Sequence, residues 1–193
     1  MQRSLVGSEM CIRDRHIMAV TIFDINKYVL MPHQTHSMLS KREAEMITSS
    51  ITSMLEDSYC MDENTLKYIV RFYTMDDFGK LIFNRNQHRR CGYPLCDKHL
   101  NTPSIDINNC GSVISYCNGL HYDCSNFVLT QLHEMPIYRR TGIHLINRYD
   151  LTKVNQQNQM FQMKLFEEIL QEKTTEYDLD MMTDELTKFG LKL

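Results

Sequence analysis

Cys91-Gly92-Tyr93-Pro94-Leu95-Cys96, followed by Tyr116-Cys117-Asn118-Gly119-Leu120-His121-Tyr122-Asp123-Cys124-Ser125, decides how this chain is read. Thiolate sulfur and imidazole nitrogen are the ligands Zn²⁺ prefers. Two short-spaced ligand pairs separated by a loop make one tetrahedral site joining two distant pieces of chain. The C-x4-C pair has looser spacing than the C-x2-C of zinc fingers, but Cys117 and His121 stand one helical turn apart and point the same way. The expected ligands are Cys91, Cys96, Cys117 and His121. Cys124 is an alternative fourth ligand or a core thiol, Cys110 a further candidate, and Cys60 a packed thiol. His88, His99, His133 and His144 have no paired neighbour at ligand spacing and read as surface or hydrogen-bonded histidines. With four protein ligands the site is closed, so its one Zn²⁺ is structural and does not activate water.

Composition sets the frame around that site. The chain has 193 residues, 42% hydrophobic and 23% charged, enough for one buried core and an ordinary globular domain. Seven Gly and four Pro against ten Tyr, eight Phe and fourteen Met favour long helices over a turn-rich sandwich. The expected fold is mainly α, a helical domain with an embedded zinc knuckle whose short extended segments resemble a β-hairpin. Seven cysteines without a secretory apolar region point to reduced thiols, hence metal rather than disulfides. No run of apolar residues is long enough for a membrane span. A net charge of -3 gives no support for wholesale nucleic-acid binding. Arg85, His88, Arg89, Arg90, Lys98 and His99 form a local basic cluster around the first cysteine pair, where an anion would be held.

Residues 1–15 have no amphipathic period and resemble translated sequencing-adapter read-through. They are expected to be an artefactual or unstructured leader, with a natural start at Met18 and one domain over 16–193. Ser40 with Glu43 forms a capping box ahead of the stripe Ala44, Ile47, Ile51, Met54 and Leu55, predicting a helix. Asp62 opens a second, carrying Leu66, Ile69, Val70 and Tyr73. Thr74 with Asp77 opens a third, carrying Phe78, Leu81 and Ile82. The Asn-rich stretch from Asn101 to Gly111 is expected to be a surface loop and Asn147 to Gln159 a linker. A helix is expected from Ser125, a good N-cap, through Leu132 to before Pro136. Phe161, Leu165, Phe166, Ile169 and Leu170 make another stripe. Leu179, Met182, Leu186 and Phe189 make the last, closed by Gly190.

These residues carry a resemblance. Arg85-Asn86 before the Cys-Gly-Tyr-Pro-Leu-Cys hexapeptide, Cys117-x3-His121-x2-Cys124-Ser125-x-Phe127, Gln131-Leu132 and Arg140-Thr141-Gly142-Ile143-His144-Leu145 are similar to the regulator-of-transcription family. Its members are atypical RNA polymerase II C-terminal-domain phosphatases, also called polymerase-associated proteins. The likeness runs from about Ile22 to Leu193 and is strongest to the yeast-type members. It implies zinc ligation by the four residues above, hydrolysis of phosphoserine in the heptad repeats, chiefly at the fifth position, binding to the polymerase and its phosphorylated tail, and shuttling between nucleus and cytoplasm.

The chemistry is harder to assign. A cysteine phosphatase needs an arginine six positions after its thiolate, and those positions after Cys91, Cys96, Cys117 and Cys124 hold Asp97, Thr102, Asp123 and Thr130. Metal-bound thiolates are not free nucleophiles. Asp178-Leu179-Asp180 lies in a helical stripe and reads as a solvated face. What remains is a pocket beside the knuckle, where Arg85 would neutralise phosphate oxygens and Tyr116 or Ser125 would supply a hydroxyl. The structural alternatives are that Arg85 caps a helix and Ser125 caps the next. The family's glutamate before Arg-Asn is Asn84 here, and an amide cannot act as a general base. A zinc-stapled adaptor for polymerase assembly or nuclear import, without hydrolysis, is the second expectation.

Overall fold

A computed structural model describes residues 19–34, 39–100, 115–140 and 163–174. Among the described residues the regular elements are helices, linked by isolated bridges in place of strands. The short turn α1 (Ile22–Asp24) runs into a π-helical turn, Ile25–Leu30, and a 3-10 turn, Met31–His33. Then come α2 (Lys41–Leu55), α3 (Glu63–Val70), α4 (Met75–Gln87) and α5 (Gly119–Thr130), and a helix α6 over 166–174. The mainly α expectation holds.

Three of these starts follow from local sequence. Ser40 Oγ accepts from the Glu43 N–H at 3.2 Å while the Glu43 carboxylate accepts from the Ser40 N–H at 2.8 Å, closing a capping box on α2. Thr74 and Asp77 repeat the device on α4, and Asp62 caps α3 by accepting from the Thr65 N–H at 2.7 Å. Behind the caps, Ala44, Ile47, Ile51 and Leu55 bury one face of α2. Phe78, Leu81 and Ile82 do the same on α4, and α2 and α4 pack together. Leu66, Tyr68, Ile69 and Val70 of α3 complete the core with Phe72 and Tyr73.

The segment between α2 and α3 carries the knuckle on its back. Val20 and Cys60 form a parallel bridge, and the Cys60 N–H donates to the Pro94 carbonyl at 2.8 Å, so the N-terminal strip, the linker and the Cys-x4-Cys loop are laced together. Cys60 is buried, as expected of a packed thiol, and burial pushes it up to about 12.

α5 corrects one boundary. The helix starts at Gly119 because the Asn118 side chain accepts from the His121 N–H at 2.7 Å, so Ser125 is a buried mid-helix residue and not its cap. The helix stops at Thr130, and a 3-10 turn, Ile137–Arg139, follows Pro136. The leader, the Asn-rich loop, Cys110, His144, the linker, Asp178 and Asp180, and the final stripe to Gly190 lie outside the described residues. Among the described residues no helix is long and apolar enough to cross a membrane.

Candidate metal centre

Helix α4 ends at Gln87, and Arg89, at φ 54°, turns the chain back. The left-handed conformation at this position after a helix is ordinarily a glycine's. Arg90 then pairs with His99 in a single antiparallel bridge, flanked by the Cys91 N–H on the Lys98 carbonyl and the Leu100 N–H on the Arg89 carbonyl. This is the hairpin-like segment the spacing implied. It sets Cys91 and Cys96 at the root of a tight loop, while Cys117 and His121 arrive from the start of α5.

One ligand atom from each of Cys91, Cys96, Cys117 and His121 lies within 4.8 Å of all the others. Cys117 Sγ is 3.1 Å and Cys91 Sγ 3.6 Å from His121 Nδ1, and Cys96 Sγ is 3.7 Å from Cys117 Sγ. Zinc bonds of about 2.3 Å to sulfur and about 2.0–2.1 Å to nitrogen at tetrahedral angles put ligand atoms about 3.5–3.8 Å apart, so the donor set fits such an ion. Backbone N–H groups of Cys117 and Lys98 point at Cys91 Sγ and Cys96 Sγ, each at 3.4 Å, supplying the donors that thiolates need. Hydrogen bonding with Cys96, opposed by burial and aided by His121, pulls the Cys91 thiol down. Cys124 is outside the cluster, buried in the core and pushed up to about 12 by burial and by nearby Glu167. His88, His99 and His133 are also outside it.

The residues expected to meet phosphate are placed differently. Arg85 is fully buried, and all five of its N–H groups donate to backbone carbonyls. Nε reaches Cys91 at 2.8 Å, Nη1 reaches Leu55 at 2.6 Å and also Ser58, and Nη2 reaches Cys96 at 2.8 Å and Tyr93 at 3.4 Å. The arginine is a clamp between the end of α2 and the loop carrying the first two ligands, and in this arrangement no donor remains for an anion. The Tyr116 hydroxyl donates to Ser125 Oγ at 3.1 Å, both side chains being buried, and desolvation pushes the phenol up to about 12. Sequence reasoning brought Tyr116 and Ser125 to one site; the structure pairs them in the core.

Three further supports were missed. Asn86 donates to the carbonyls of Arg90 and Ser115, both at 2.9 Å, and accepts from the Ser115 N–H at 2.8 Å, tying the second ligand segment to α4. Arg90 is buried and donates to Asp57 and to the Asp97 carbonyl. Gly92 has no room for a side chain, since a Cβ would lie 2.8 Å from both Ile82 and Tyr116. The Arg85-Asn86 dipeptide beside the hexapeptide was the signal, but it pointed to ligand binding as readily as to scaffolding.

No family model matches the chain. Two proteins of Saccharomyces cerevisiae do. RNA polymerase II subunit B1 CTD phosphatase RTR1 is 38% identical over 184 residues, 89% of this chain and 80% of that protein. RNA polymerase II subunit B1 CTD phosphatase RTR2 is 35% identical over 170 residues, 88% of this chain and 82% of that protein. The crystal structure of S. cerevisiae Rtr1, a regulator of transcription, superposes with a TM-score of 0.67 at 40% identity, covering 80% of this chain and 98% of that one.

Proposed function

Because this chain belongs to the Rtr1 family of transcription regulators, we propose that it is a phosphoserine phosphatase acting on the C-terminal domain of RNA polymerase II, with fifth-position serine of the heptad as its chief substrate. The observation that carries this reading is identity of 38% to a protein named as such a phosphatase, extending across most of both chains. Its partners are the polymerase and its phosphorylated tail, with neither nucleic acid nor membrane among them. Its place is the nucleus, with shuttling through the cytoplasm.

The ion held by Cys91, Cys96, Cys117 and His121 is, in this reading, Zn²⁺. Bound there it supplies a structural crosslink between the knuckle loop and α5. The protein's own buried groups hold the surroundings of that crosslink in place. Arg85 acts through the loop whose carbonyls it gathers, and the Tyr116–Ser125 pair fixes the face of α5 against that loop. These three are positioning residues here, since their burial keeps them from touching a phosphoserine in this arrangement. Phosphate release from a heptad peptide phosphorylated at the fifth-position serine, followed in a single turnover, tests the reading. Release should occur and should vanish on Cys91→Ser.

The engagement of every Arg85 donor, together with Asn84 where the family carries glutamate, favours a second reading: a zinc-stabilised adaptor for polymerase assembly or import. Absence of release from folded, metal-loaded protein that still captures the polymerase would select it over the first.

A further inference from the structure

The three sulfurs of the metal centre stand in different surroundings. Cys91 and Cys96 are buried, whereas Cys117 is half-buried. Cys117 directly precedes Asn118, the cap of α5, and Asn118, Gly119 and Leu120 beyond it are exposed. Among the described residues a Cβ built on Gly119 would meet nothing within 4 Å, so this corner of the site is open.

The sulfurs also differ in their hydrogen bonds. Cys91 Sγ accepts the Cys117 N–H and Cys96 Sγ accepts the Lys98 N–H, each at 3.4 Å. Among the described residues no backbone N–H reaches Cys117 Sγ, whose polar neighbours are His121 Nδ1 at 3.1 Å and Cys96 Sγ at 3.7 Å. An amide donor stabilises a thiolate and blunts its attack on an electrophile, so the sulfur without one is the most reactive of the three. Ligation by a divalent ion withholds Cys117 from a phosphoserine but keeps its sulfur anionic. Anionic character and exposure together decide which cysteine a peroxide oxidises. A second sulfur in contact, that of Cys96, is what turns such an oxidation into a disulfide.

We propose that Cys117 and Cys96 are a peroxide-sensitive pair that makes the metal centre a reversible redox switch. The Cys117 sulfur attacks one oxygen of hydrogen peroxide, the O–O bond breaks, and Cys117 becomes a sulfenic acid while the departing hydroxide takes a proton from solvent. The Cys96 sulfur then attacks the Cys117 sulfur, forming the S–S bond and expelling a second hydroxide that is protonated in turn. The two thiolates give up two electrons, and the peroxide with two protons becomes two waters. Cys91 and His121, left as two ligands of four, no longer hold the ion, which departs with its charge unchanged. The new bond joins the same two chain segments that the metal joined, so a thiol reductant and fresh metal restore the site. The switch rests on the metal reading of the four-ligand cluster and is independent of whether the protein hydrolyses phosphoserine.

Titration of the zinc-loaded full chain with hydrogen peroxide tests it, with released metal followed by a chromogenic chelator and the cysteines mapped by differential alkylation and mass spectrometry. One ion should leave for each disulfide formed, the bridge should map to Cys96 and Cys117, and thiol reductant with Zn²⁺ should return the loaded form. On the loaded protein before oxidation, a limiting dose of alkylating agent should label Cys117 ahead of Cys91 and Cys96, a comparison that needs no variant. Protein that takes up no Zn²⁺ before treatment sinks the metal reading and the switch together. Loaded protein that keeps its ion under peroxide, that forms its bridge between other cysteines, or that labels Cys117 last of the three overturns the switch alone.

Discussion

The two ends of α4 are built by opposite means. At its start, Thr74 and Asp77 satisfy each other's backbone within four residues, and the surface beyond them is exposed and acidic. At its end, Arg85 and Asn86 reach across to carbonyls of Leu55, Ser58, Cys91, Cys96 and Ser115 and hold chain segments that no helix pairs. A local cap can be lost without disturbing anything distant. The far end cannot lose a member without leaving carbonyls short of a donor, and this asymmetry makes one end a support for distant chain and the other a self-contained start.

The metal ligands give the hardest test of the contrast. Cys91→Ser, or a chelator applied to the intact protein, should abolish metal binding and cooperative unfolding together. Metal content by atomic emission and a thermal melt by circular dichroism would check this, and a sharp transition surviving in the metal-free protein would show that the knuckle is not integral. Next in size is Arg85→Ala. Five carbonyls lose the arginine at once, and although those of Leu55 and Tyr93 keep a backbone donor, the expected loss is about 3–5 kcal/mol in a urea titration, with Arg85→Lys recovering little because an ammonium cannot reproduce the fork. Gly92→Ala forces a methyl group against Ile82 and Tyr116 and should cost about 1–3 kcal/mol, read as a lowered denaturant midpoint with unchanged slope.

At the other end the effects shrink. Thr74→Ala removes one cap and should cost about 1 kcal/mol while leaving the metal affinity untouched. If it instead released metal, the two ends would be coupled and the contrast would fail. Smallest is a gain: Arg89→Gly relieves a left-handed backbone at φ 54° and should stabilise by about 0.5–1 kcal/mol, visible as a small rise in melting temperature.

The same division explains what could be read from the amino-acid sequence. Ser40 with Glu43, Asp62 before its helix and Thr74 with Asp77 each act over three residues, so their spacing is their mechanism, and the helices follow. Cys91, Cys96, Cys117 and His121 were legible because metal chemistry demands those residue types at those intervals. Arg85 was not. Its acceptors are carbonyls belonging to residues as far back as Leu55, and a backbone carbonyl leaves no trace in residue identity. Asn118 could have been found, as an Asn three residues before an N–H it accepts, but Ser125 stood closer to the apolar run and drew the boundary late.

The reach of Arg85 also sets an order of events as the chain leaves the ribosome. Its acceptors at Leu55 and Ser58 are already synthesised when it appears, yet the clamp stays incomplete until Cys96 follows, and His121 comes another 25 residues later. At about 5–20 residues per second, this leaves the first two thiols waiting roughly 1–5 s for their last ligand. Order of synthesis therefore places both halves of the arginine's clamp, and the first two thiols, ahead of the helix that completes the metal site.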